Sequence, residues 1–439
     1  MFILYDLIFF TVGLFYLPYL FFRLATNPSW GQGFGMRLGI LPKDILKKLS
    51  SRETIWLHAV SVGEVMGAET LVESLRLKFP NHRLVISTVT QTGNRVAKRL
   101  ASRDDVVIYF PLDLSFIVKR MIRKISPHIF LTVETEIWPN FITAAFKEEI
   151  PVILVNGRIS PGSFKKYRKV RFFLKKVLEK INLFLMQTSK DKAKIISLGA
   201  PPDRVKVTGN MKFDQAKLRG PSEECIARLR DSFLLAENEE LFVAGSTHPG
   251  EEEIILEAYK TLRSHHRNLR LLLAPRHPER APQIEKLVTK HGFVPFRVSQ
   301  LPSPRLSALN SQLSILILDT IGQLRSIYGL ADLVFVGGSL VPRGGHNPIE
   351  PACLGKPILF GPWLFNFQAI ADAFLEKGAA ILVKDKEDLE AQSLRLLGDP
   401  SKRKELGAKA KEVVELSLGA TKRNVDFVKE LFDKKRTRE

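Results

Sequence analysis

Glutamates stand at the ends of two segments that are predicted to be β-strands, at positions where an enzyme could use their carboxylates to transfer protons. Glu64 ends the segment 58–64, in which Ser61 and Glu64 have the spacing of a capping box. This side chain could therefore cap a helix or act as a general base, and the two roles are compatible. Glu134 and Glu136 stand where an apolar run ends. Two carboxylates at the end of a buried strand indicate a functional site, with a solvated helix start as the alternative.

The second half of the chain places cations and glycines where a phosphate could bind. Arg276 follows the apolar run Leu269–Pro275, and its guanidinium could pair bidentately with a phosphate. Residues 337–350 combine four glycines with an arginine and a histidine ahead of a helix start, with Asn347 at the expected N-cap and Glu350 at N3. Capping does not require the glycines. The turn therefore predicts a close approach of a phosphate to the backbone, with Glu350 accepting from sugar hydroxyls.

Two further turns could bind anions. Residues 244–251 have the pattern of a strand, a small-residue turn and a helix start, whose N–H groups bind phosphate readily. Residues 208–214 place Lys212 after a Gly-Asn turn, which is a weak signal by itself. No Walker A loop, no GxGxxG after a predicted strand and no Asp-x-Asp sequence occurs in the chain. We therefore expect chemistry without a metal or a cofactor, in which positive groups stabilise developing charge.

Short β-branched runs alternate with longer amphipathic stretches, a pattern that predicts parallel sheets covered by helices on both faces. The predicted strands of the first half are Thr54–Val60, Arg83–Val89, Val106–Phe110, His128–Glu134, Pro151–Asn156 and Leu183–Thr188. Those of the second half are Leu241–Gly245, Leu269–Pro275, Ser314–Asp319, Asp332–Gly337, Pro357–Phe360 and Ala380–Val383. The sequence thus predicts two Rossmann-like, doubly wound α/β domains that face a cleft, at 25–217 and at 218–439 with C-terminal helices.

The 21 residues from Phe2 to Phe22 are predominantly apolar and contain one charged residue, Asp6, which predicts a membrane anchor over residues 1–24. The segment lacks the basic start and the small-residue cleavage site of a signal peptide. Basic residues follow it, so the positive-inside rule predicts a single anchor with the body of the protein in the cytoplasm. Asp6 and Pro18 leave a tilted or monotopic insertion open, and a buried core helix is the alternative.

Positive charge is concentrated in the first half. Through Asp214 the chain has 33 Lys and Arg against 17 Asp and Glu, which accounts for +16 of a total formal charge of +20. Such an excess suits nucleic acid, an anionic membrane or an acidic substrate. The stretch 158–176 interleaves aromatic residues with eight cations and has no acidic residue. A basic aromatic helix next to an anchor favours a membrane surface over nucleic acid, with a solvated helix as the alternative.

Seven motifs occur in an order that resembles one known family, the bacterial 3-deoxy-D-manno-octulosonic acid (Kdo) transferases of lipopolysaccharide synthesis. The motifs are HAVSVGE at 58–64, ETEIWPN at 134–140, GNMKFD at 209–214, STHPGEEE at 246–253, PRHPER at 275–280, GGSLVPRGGHNPIEP at 337–351 and GPWLFNF at 361–367. The resemblance runs from the anchor to the last predicted strands. It implies an inverting, metal-independent glycosyltransferase of the B type, with CMP-Kdo as donor and a tetraacylated, phosphorylated lipid A precursor as acceptor.

The resemblance also assigns residues. It implies that Glu64 is the catalytic base and that Glu134 and Lys212 stabilise the transition state. The first domain would then bind the acceptor and the second the donor. The positions that match the family's CMP-binding segments are Pro275, Arg276, Ile321, Gly322, Gln323, Asn347, Pro348, Ile349 and Glu350. Relatives often have Glu where this chain has Gln323, which puts a direct side-chain role there in doubt. Within the basic stretch, we expect the acceptor or membrane surface to comprise Lys165, Lys166, Arg168 and Lys169.

Two alternatives stay open from the sequence. A transferase of the same fold could use a UDP-sugar, and the chain could be a membrane-bound protein that grips anionic lipid through residues 158–176 without catalysis. Cys225 and Cys353 form neither a CxxC pair nor a metal spacing, so a reducing compartment is expected. The combined expectation is an enzyme on the cytoplasmic face of a bacterial inner membrane, acting on an anionic lipid.

Overall fold

The computed structural model describes residues 2–26, 31–50, 52–218, 221–301 and 313–436. The chain divides into two compact units, which are considered separately below. Unit 1 contains residues 1–215 and 419–439, and unit 2 contains residues 216–418. The first boundary lies close to the one expected from the sequence, whereas the C-terminal segment belongs to the other unit.

Unit 1 is built on a sheet of seven parallel strands. The strands are β1 (Thr54–His58), β2 (Arg83–Thr88), β3 (Val106–Tyr109), β4 (Ile129–Val133), β5 (Val152–Gly157), β6 (Leu183–Met186) and β7 (Val205–Val207). Their order is β3-β2-β1-β4-β5-β6-β7, so the chain reverses direction across the sheet between β1 and β4. Doubly wound sheets bind ligands at such a switch point, beyond the carboxyl ends of the strands.

Helices cover both faces of this sheet because its strands are apolar on both sides. Along β1, Trp56 packs into one buried cluster while Ile55 and Leu57 pack into the other. The helices up to residue 218 are α1 (Phe2–Thr26), α2 (Phe34–Arg37), α3 (Lys43–Leu49), α4 (Val62–Gly67), α5 (Glu69–Lys78), α6 (Gln91–Leu100), α7 (Ser115–Ile125), α8 (Pro139–Lys147), α9 (Pro161–Lys169), α10 (Arg171–Leu178), α11 (Ser189–Leu198) and α12 (Lys212–Leu218).

Unit 2 repeats the plan with a second parallel sheet. Its strands are β8 (Glu240–Thr247), β9 (Leu269–Pro275), β10 (Val294–Arg297), β11 (Ser314–Ile317), β12 (Leu333–Val336), β13 (Ile358–Phe360) and β14 (Ile381–Leu382). Their order, β10-β11-β9-β8-β12-β13-β14, places the switch point between β8 and β12. The remaining helices are α13 (Glu223–Ser232), α14 (Glu251–His265), α15 (Ala281–Lys290), α16 (Leu324–Tyr328), α17 (Ile349–Cys353), α18 (Gln368–Glu376), α19 (Lys386–Leu397), α20 (Pro400–Ser417) and α21 (Ala420–Arg436). The prediction of two doubly wound α/β domains is confirmed.

The C-terminal helix α21 corrects the expected domain division, because it packs on unit 1. Asp214 accepts hydrogen bonds from the backbone N–H groups of Gly419 and Thr421, both at 2.6 Å. Thr421 also shares a hydrogen bond of 2.9 Å with Thr70 of α5. These contacts fix the start of α21 against unit 1, so the prediction that all C-terminal helices complete the second domain was wrong for this helix.

The apolar N-terminal segment forms α1, and its acidic residue is bound by the protein. The Asp6 carboxylate accepts hydrogen bonds from the backbone N–H of Ser115 at 3.2 Å and from the Asn140 side chain at 2.6 Å. Within the described ranges, no helix combines the length and apolar character required to cross a membrane. This finding does not support the predicted transmembrane anchor. The Asp6 carboxylate, within the apolar run, instead contacts Ser115 and Asn140 of unit 1.

The basic stretch 158–176 contains two helices rather than one. Helix α9 ends at Lys169 and α10 begins at Arg171, with Val170 between them. Aromatic side chains on the inner side, including Phe164 and Phe173, pack against the core of unit 1. The four cations expected on the surface, Lys165, Lys166, Arg168 and Lys169, are all exposed.

Candidate active site

Glu64 lies one turn after β1 and is fixed by its own loop. Its Oε2 accepts a hydrogen bond of 2.8 Å from the backbone N–H of Val60, and its Oε1 accepts one of 2.9 Å from the Ser61 hydroxyl. The capping box expected here was wrong in its geometry, because the Ser61 hydroxyl accepts no hydrogen bond from a backbone N–H of the first turn of α4. Burial raises the pKa of Glu64 above its ordinary value, and the two hydrogen bonds oppose this rise. The carboxylate is thus oriented, desolvated and close to the switch point.

Glu134 follows β4, the strand on the other side of the switch point. Its backbone adopts a left-handed conformation with φ 58°, which costs energy for a residue with a side chain. Its Oε2 lies 3.1 Å from Nε of Arg158, which follows the neighbouring strand β5. Arg158 was expected only in the basic stretch, and this ion pair was not predicted, because only the pairing of β4 with β5 brings the two residues together.

Lys212 and Glu136 complete a charged cluster with these residues. Burial lowers the pKa of Lys212, with Arg158 acting in the same direction and Glu134 and Glu64 opposing it. Burial, Glu64 and Glu134 together raise the pKa of Glu136 to about 7. The predicted catalytic residues Glu64, Glu134 and Lys212 are therefore electrostatically coupled, as expected for a group of titrating side chains at a functional site.

Helix α9 lies beside this cluster. The Tyr167 hydroxyl is 3.5 Å from the carbonyl oxygen of Thr135, and burial and Glu136 raise the pKa of Tyr167. The exposed cations Lys165, Lys166, Arg168 and Lys169 are carried by the same helix.

In unit 2, the residues expected to bind the nucleotide follow β9, β11 and β12. Pro275, the last residue of β9, is buried, whereas Arg276 after it is exposed, and the Arg276 N–H donates to the carbonyl of Thr247 at 3.0 Å. After β11, Ile321, Gly322 and Gln323 form an exposed turn in which Gly322 has φ 91°. The Gln323 side chain accepts a hydrogen bond of 2.6 Å from the Thr320 hydroxyl. The turn leads directly into α16.

The third segment surrounds the start of α17. Helix α17 begins at Ile349 with Pro348 as N-cap, one residue later than expected. Asn347 still stabilises this turn: its Oδ1 accepts from the Ile349 N–H at 3.1 Å, and its Nδ2 donates to Glu350 Oε1 at 3.2 Å. Burial raises the pKa of the Glu350 carboxyl, while Asn347, Arg325 and Arg276 lower it. Arg276 is thus electrostatically coupled to the α17 segment from the far side of the switch point.

The glycine turn after β12 differs from expectation, because its N–H groups are already occupied. Glu251, the first residue of α14, is fully buried and accepts hydrogen bonds from the N–H groups of Gly338, Ser339 and Leu340 at 2.6, 2.9 and 2.9 Å. It also accepts from the N–H of His248 at 3.0 Å. An internal carboxylate therefore binds three N–H groups of the glycine turn and one of the turn 244–251, so these groups are not free to bind a phosphate. The guanidinium groups of Arg276 and Arg343 have no hydrogen bond or ion pair within the described part of the chain and remain available to an anion.

Comparison with known proteins agrees with this arrangement. A family model described as 3-deoxy-D-manno-octulosonic-acid transferase (kdotransferase) matches residues 32–215. The 3-deoxy-D-manno-octulosonic acid transferase of Haemophilus influenzae is 34% identical over 383 residues, which cover 87% of this chain and 87% of that protein. The protein of the same description from Chlamydophila psittaci is 32% identical over 405 residues, covering 91% and 89%.

A solved structure shares the fold at low sequence identity. It is a putative UDP-N-acetylglucosamine 2-epimerase from Listeria monocytogenes, which is 15% identical, aligns over 88% of this chain and 98% of its own and has a TM-score of 0.58. This likeness concerns the fold alone. The alignments with both transferases are long and cover most of each chain. The chain belongs to the 3-deoxy-D-manno-octulosonic acid transferase family of glycosyltransferases.

Proposed function

We propose that this protein is a glycosyltransferase of the B type that transfers Kdo from CMP-Kdo to a hydroxyl of a tetraacylated, phosphorylated lipid A precursor. The reaction inverts the anomeric centre, requires no metal and belongs to lipopolysaccharide synthesis. The observation that carries the proposal is the carboxylate of Glu64, fixed by two hydrogen bonds and coupled to Glu134, Arg158 and Lys212 at the switch point of unit 1. Membership of the Kdo transferase family supports the sugar, and the finer assignments rest on the motifs.

In this mechanism Glu64 acts as the general base. Its carboxylate accepts the proton of the acceptor hydroxyl, and the hydroxyl oxygen forms a bond to the anomeric carbon of Kdo. The bond between that carbon and the phosphate oxygen breaks, so CMP leaves with both bonding electrons. Burial supports this role because a raised pKa makes the carboxylate a stronger base than an exposed glutamate. A single direct displacement accounts for inversion.

Lys212 and the Glu134–Arg158 pair supply charge around the reacting groups. The Lys212 ammonium is desolvated, so its charge acts more strongly than it would in water. Glu134 takes part through its strained backbone position and its ion pair with Arg158. We assign both Glu134 and Lys212 to transition-state stabilisation. Fixed charges of this kind act without reorganisation during the reaction.

We assign the donor to unit 2. Arg276 has the position and the free guanidinium required to bind the CMP phosphate, and Glu350 can accept hydrogen bonds from the ribose. Asn347, Pro348 and Ile349 hold Glu350 in place. The turn Ile321–Gln323 contributes through its exposed backbone, since the Gln323 side chain already accepts a hydrogen bond from Thr320.

We further propose that α1 rests on the cytoplasmic face of the bacterial inner membrane as a monotopic element. Leu7, Phe10, Leu14, Phe15 and Phe22 on this helix are all exposed, while Asp6 is held by unit 1. An apolar helix face of this kind partitions into the interfacial region of a bilayer. The cations of α9 would then attract anionic lipid, including the phosphorylated acceptor.

Nucleotide binding tests the donor assignment. The wild-type protein should bind CMP in preference to UMP, and Arg276→Ala should raise the dissociation constant of CMP roughly tenfold or more, since a hydrogen bond to a charged group contributes about 1.5–3 kcal/mol. Lys290→Ala, at the exposed end of α15, serves as a control with the same loss of charge. Equal binding of CMP and UMP would favour a UDP-sugar transferase, and unchanged affinity in folded Arg276→Ala would place the phosphate elsewhere. Lipid binding without any nucleotide binding would indicate a non-catalytic protein.

A further inference from the structure

Two histidines from distant parts of the sequence form a pair at the switch point of unit 2. His248 follows β8, and His346 lies in the loop after β12. Their Nε2 atoms are 2.8 Å apart, and the ring planes differ by only 6°. The ring centroids are 5.1 Å apart, which is farther than the 2.8 Å between the two nitrogens. The rings therefore meet edge to edge at their Nε2 atoms and do not stack face to face. This geometry fits a hydrogen bond in which one ring donates its N–H and the other accepts.

The surrounding backbone is shaped to hold the pair. Gly338 has φ 69°, and a Cβ at this position would lie 2.9 Å from Cδ2 of His346 and 3.3 Å from Cδ2 of His248. A side chain at position 338 would therefore disturb both rings. The Glu251 carboxylate accepts a hydrogen bond from the backbone N–H of His248 and three from N–H groups of the glycine turn. The buried carboxylate thus fixes the two loops that carry the histidines.

The chemistry of imidazole limits such a pair to one additional proton. In the neutral pair, one ring carries its hydrogen on Nε2 and the other on Nδ1, so one of the two Nδ1 atoms has no hydrogen. One more proton fills that Nδ1 and leaves the Nε2 contact intact. A second additional proton would put hydrogens on both Nε2 atoms, so that two N–H groups would point at each other. Neither Nδ1 has a hydrogen-bond partner among the described residues, so both can contact a ligand.

The charges around the pair are predominantly positive. Arg276, Arg280 and Arg343 act on the pair, and His277 lies beside it. The neighbouring carboxylates already have partners other than the histidine pair. Glu251 accepts hydrogen bonds from four backbone N–H groups, Glu252 lies 2.8 Å from Arg280, and Glu279 lies 3.4 Å from His277. Burial, His248, Arg276 and His277 lower the pKa of His346 to about 4. Burial, followed by Arg343, His277, Arg280 and Arg276, also lowers the pKa of His248. Without a bound ligand, both imidazoles are therefore mainly neutral near pH 7.

A bound phosphate reverses this balance, because its negative charge offsets Arg276 and Arg343 and favours a cationic pair. We propose that the His248–His346 pair takes up one proton from solvent when a nucleotide phosphate binds beside it. The inference rests on the proposed donor site. Its catalytic consequence follows from charge: the phosphate of CMP becomes more negative when the bond to Kdo breaks, so the protonated pair stabilises the leaving group where many transferases use a metal.

The first test examines the pair without any ligand. In protein labelled with ¹⁵N in its histidines, two-bond ¹H–¹⁵N correlation spectra distinguish the two neutral tautomers. We expect His248 and His346 to be of opposite tautomers near pH 7.5, one protonated at Nε2 and the other at Nδ1. The same tautomer in both rings would mean that no N–H···N hydrogen bond exists and would overturn the proposal.

The second test counts protons. Calorimetric titration with CMP at pH 7.5, in two buffers of different ionisation enthalpy, measures proton uptake on binding; CMP is then mainly a dianion, because its second pKa is about 6. We expect uptake of a large fraction of one proton, and a CMP dissociation constant that rises with pH by up to tenfold per unit. His346→Gln and His248→Gln should each abolish both effects. His277→Gln should retain them, because this variant removes a neighbouring imidazole that is outside the pair.

Two further ligands identify the group responsible. Sulfate carries no titrating proton in this range and should also cause uptake, whereas cytidine, without a phosphate, should cause none. CMP binding without proton uptake, or uptake that persists in both pair variants, would overturn the inference and leave the donor site in place. Failure of the wild-type protein to bind CMP would overturn the proposed donor and this inference together.

Discussion

The surroundings of Glu64 support its proposed role as a general base. An exposed carboxylate is solvated and mobile, whereas Glu64 is held through both oxygens by Val60 and Ser61 and loses part of its solvation. These hydrogen bonds leave lone pairs free on each oxygen, so the group can still accept a proton. The same loop therefore orients the carboxylate and adjusts its basicity.

Replacing Glu64 by Gln should remove the basicity while keeping the shape. We expect Glu64→Gln to lower the rate of transfer roughly 100- to 10,000-fold, the usual contribution of a general base. Affinity for CMP should hardly change, because CMP is assigned to unit 2. Glu73→Gln on the exposed side of α5 removes the same charge and should retain activity. Glu64→Gln activity within about threefold of wild type would refute the assignment, because the loss expected of a base is far larger.

The acidic limb of the pH–rate profile should reveal the coupled carboxyls. Glu64 must be ionised to accept a proton, and its pKa is raised, so activity should be lost on acidification at a pH above the ordinary pKa of glutamate. The negative charge of Glu134 contributes to this rise. Glu134→Gln removes that charge and should move the acidic limb of kcat/KM to lower pH. No shift, or a shift to higher pH, would indicate that the two groups are not coupled.

Local patterns predicted the identity of the main residues but not their partners. Glu64, Glu134 and Lys212 were recognised because each follows a strand within a specific motif. Arg158 was not recognised as the partner of Glu134, because its role depends on β4 and β5 being neighbours. The same limit explains the glycine turn, whose N–H groups are bound by Glu251 from a helix 87 residues away in sequence. Capping patterns are local, so they could not predict this competition.

Among the elements, the strand predictions succeeded in the interior of each sheet and failed at two edges. Strands β7 and β10 were missed, and each is the terminal strand of its sheet. β7 has only three residues and contains a lysine, while β10 contains Pro295. Edge strands tolerate charge and proline because one side lacks a pairing partner. Buried central strands must be apolar on both faces, so they were visible in the sequence.

Helix α21 gives the motif residue Asp214 a structural role. Its carboxylate binds the N–H groups of Gly419 and Thr421 at the start of the helix, as an N-cap does. Asp214→Ala should therefore lower the free energy of unfolding of unit 1 by about 1–2 kcal/mol and reduce the melting temperature by a few degrees. Asp426→Ala removes only an exposed pair with Lys78 and should have little effect. Equal melting curves for the two variants would contradict the capping role.

The cations of α9 should act on the acceptor rather than on the donor. Replacing Lys165, Lys166, Arg168 and Lys169 by Ser should raise the apparent KM for the anionic lipid, make it less sensitive to salt and leave donor kinetics unchanged. The matched control replaces four lysines of unit 2, Lys402, Lys404, Lys409 and Lys411, by Ser. If both variants behave alike, the effect reflects net charge. If the α9 variant has the acceptor and salt dependence of wild type, this surface is only solvated.

At the scale of the whole molecule, each sheet carries different groups for the proposed reaction. Unit 1 presents a carboxylate cluster at the β1/β4 switch point, and unit 2 presents cations and a histidine pair at the β8/β12 switch point. The sequence predicted both domains because a doubly wound sheet leaves a clear alternation of strands and helices. It did not predict that α21 belongs to unit 1, since nothing local in a charged helix identifies the core on which it packs.

Mass analysis of the reaction product tests the proposed activity most directly. Purified full-length protein is incubated with CMP-Kdo and a tetraacylated, phosphorylated disaccharide lipid, with EDTA present to remove divalent metal, and the lipid is analysed together with released CMP. We expect the lipid to gain the mass of Kdo in step with the release of CMP, and Glu64→Gln to form this product far more slowly. CMP-Kdo converted only to free Kdo, transfer that requires a divalent metal, or transfer from a UDP-sugar instead would contradict the account.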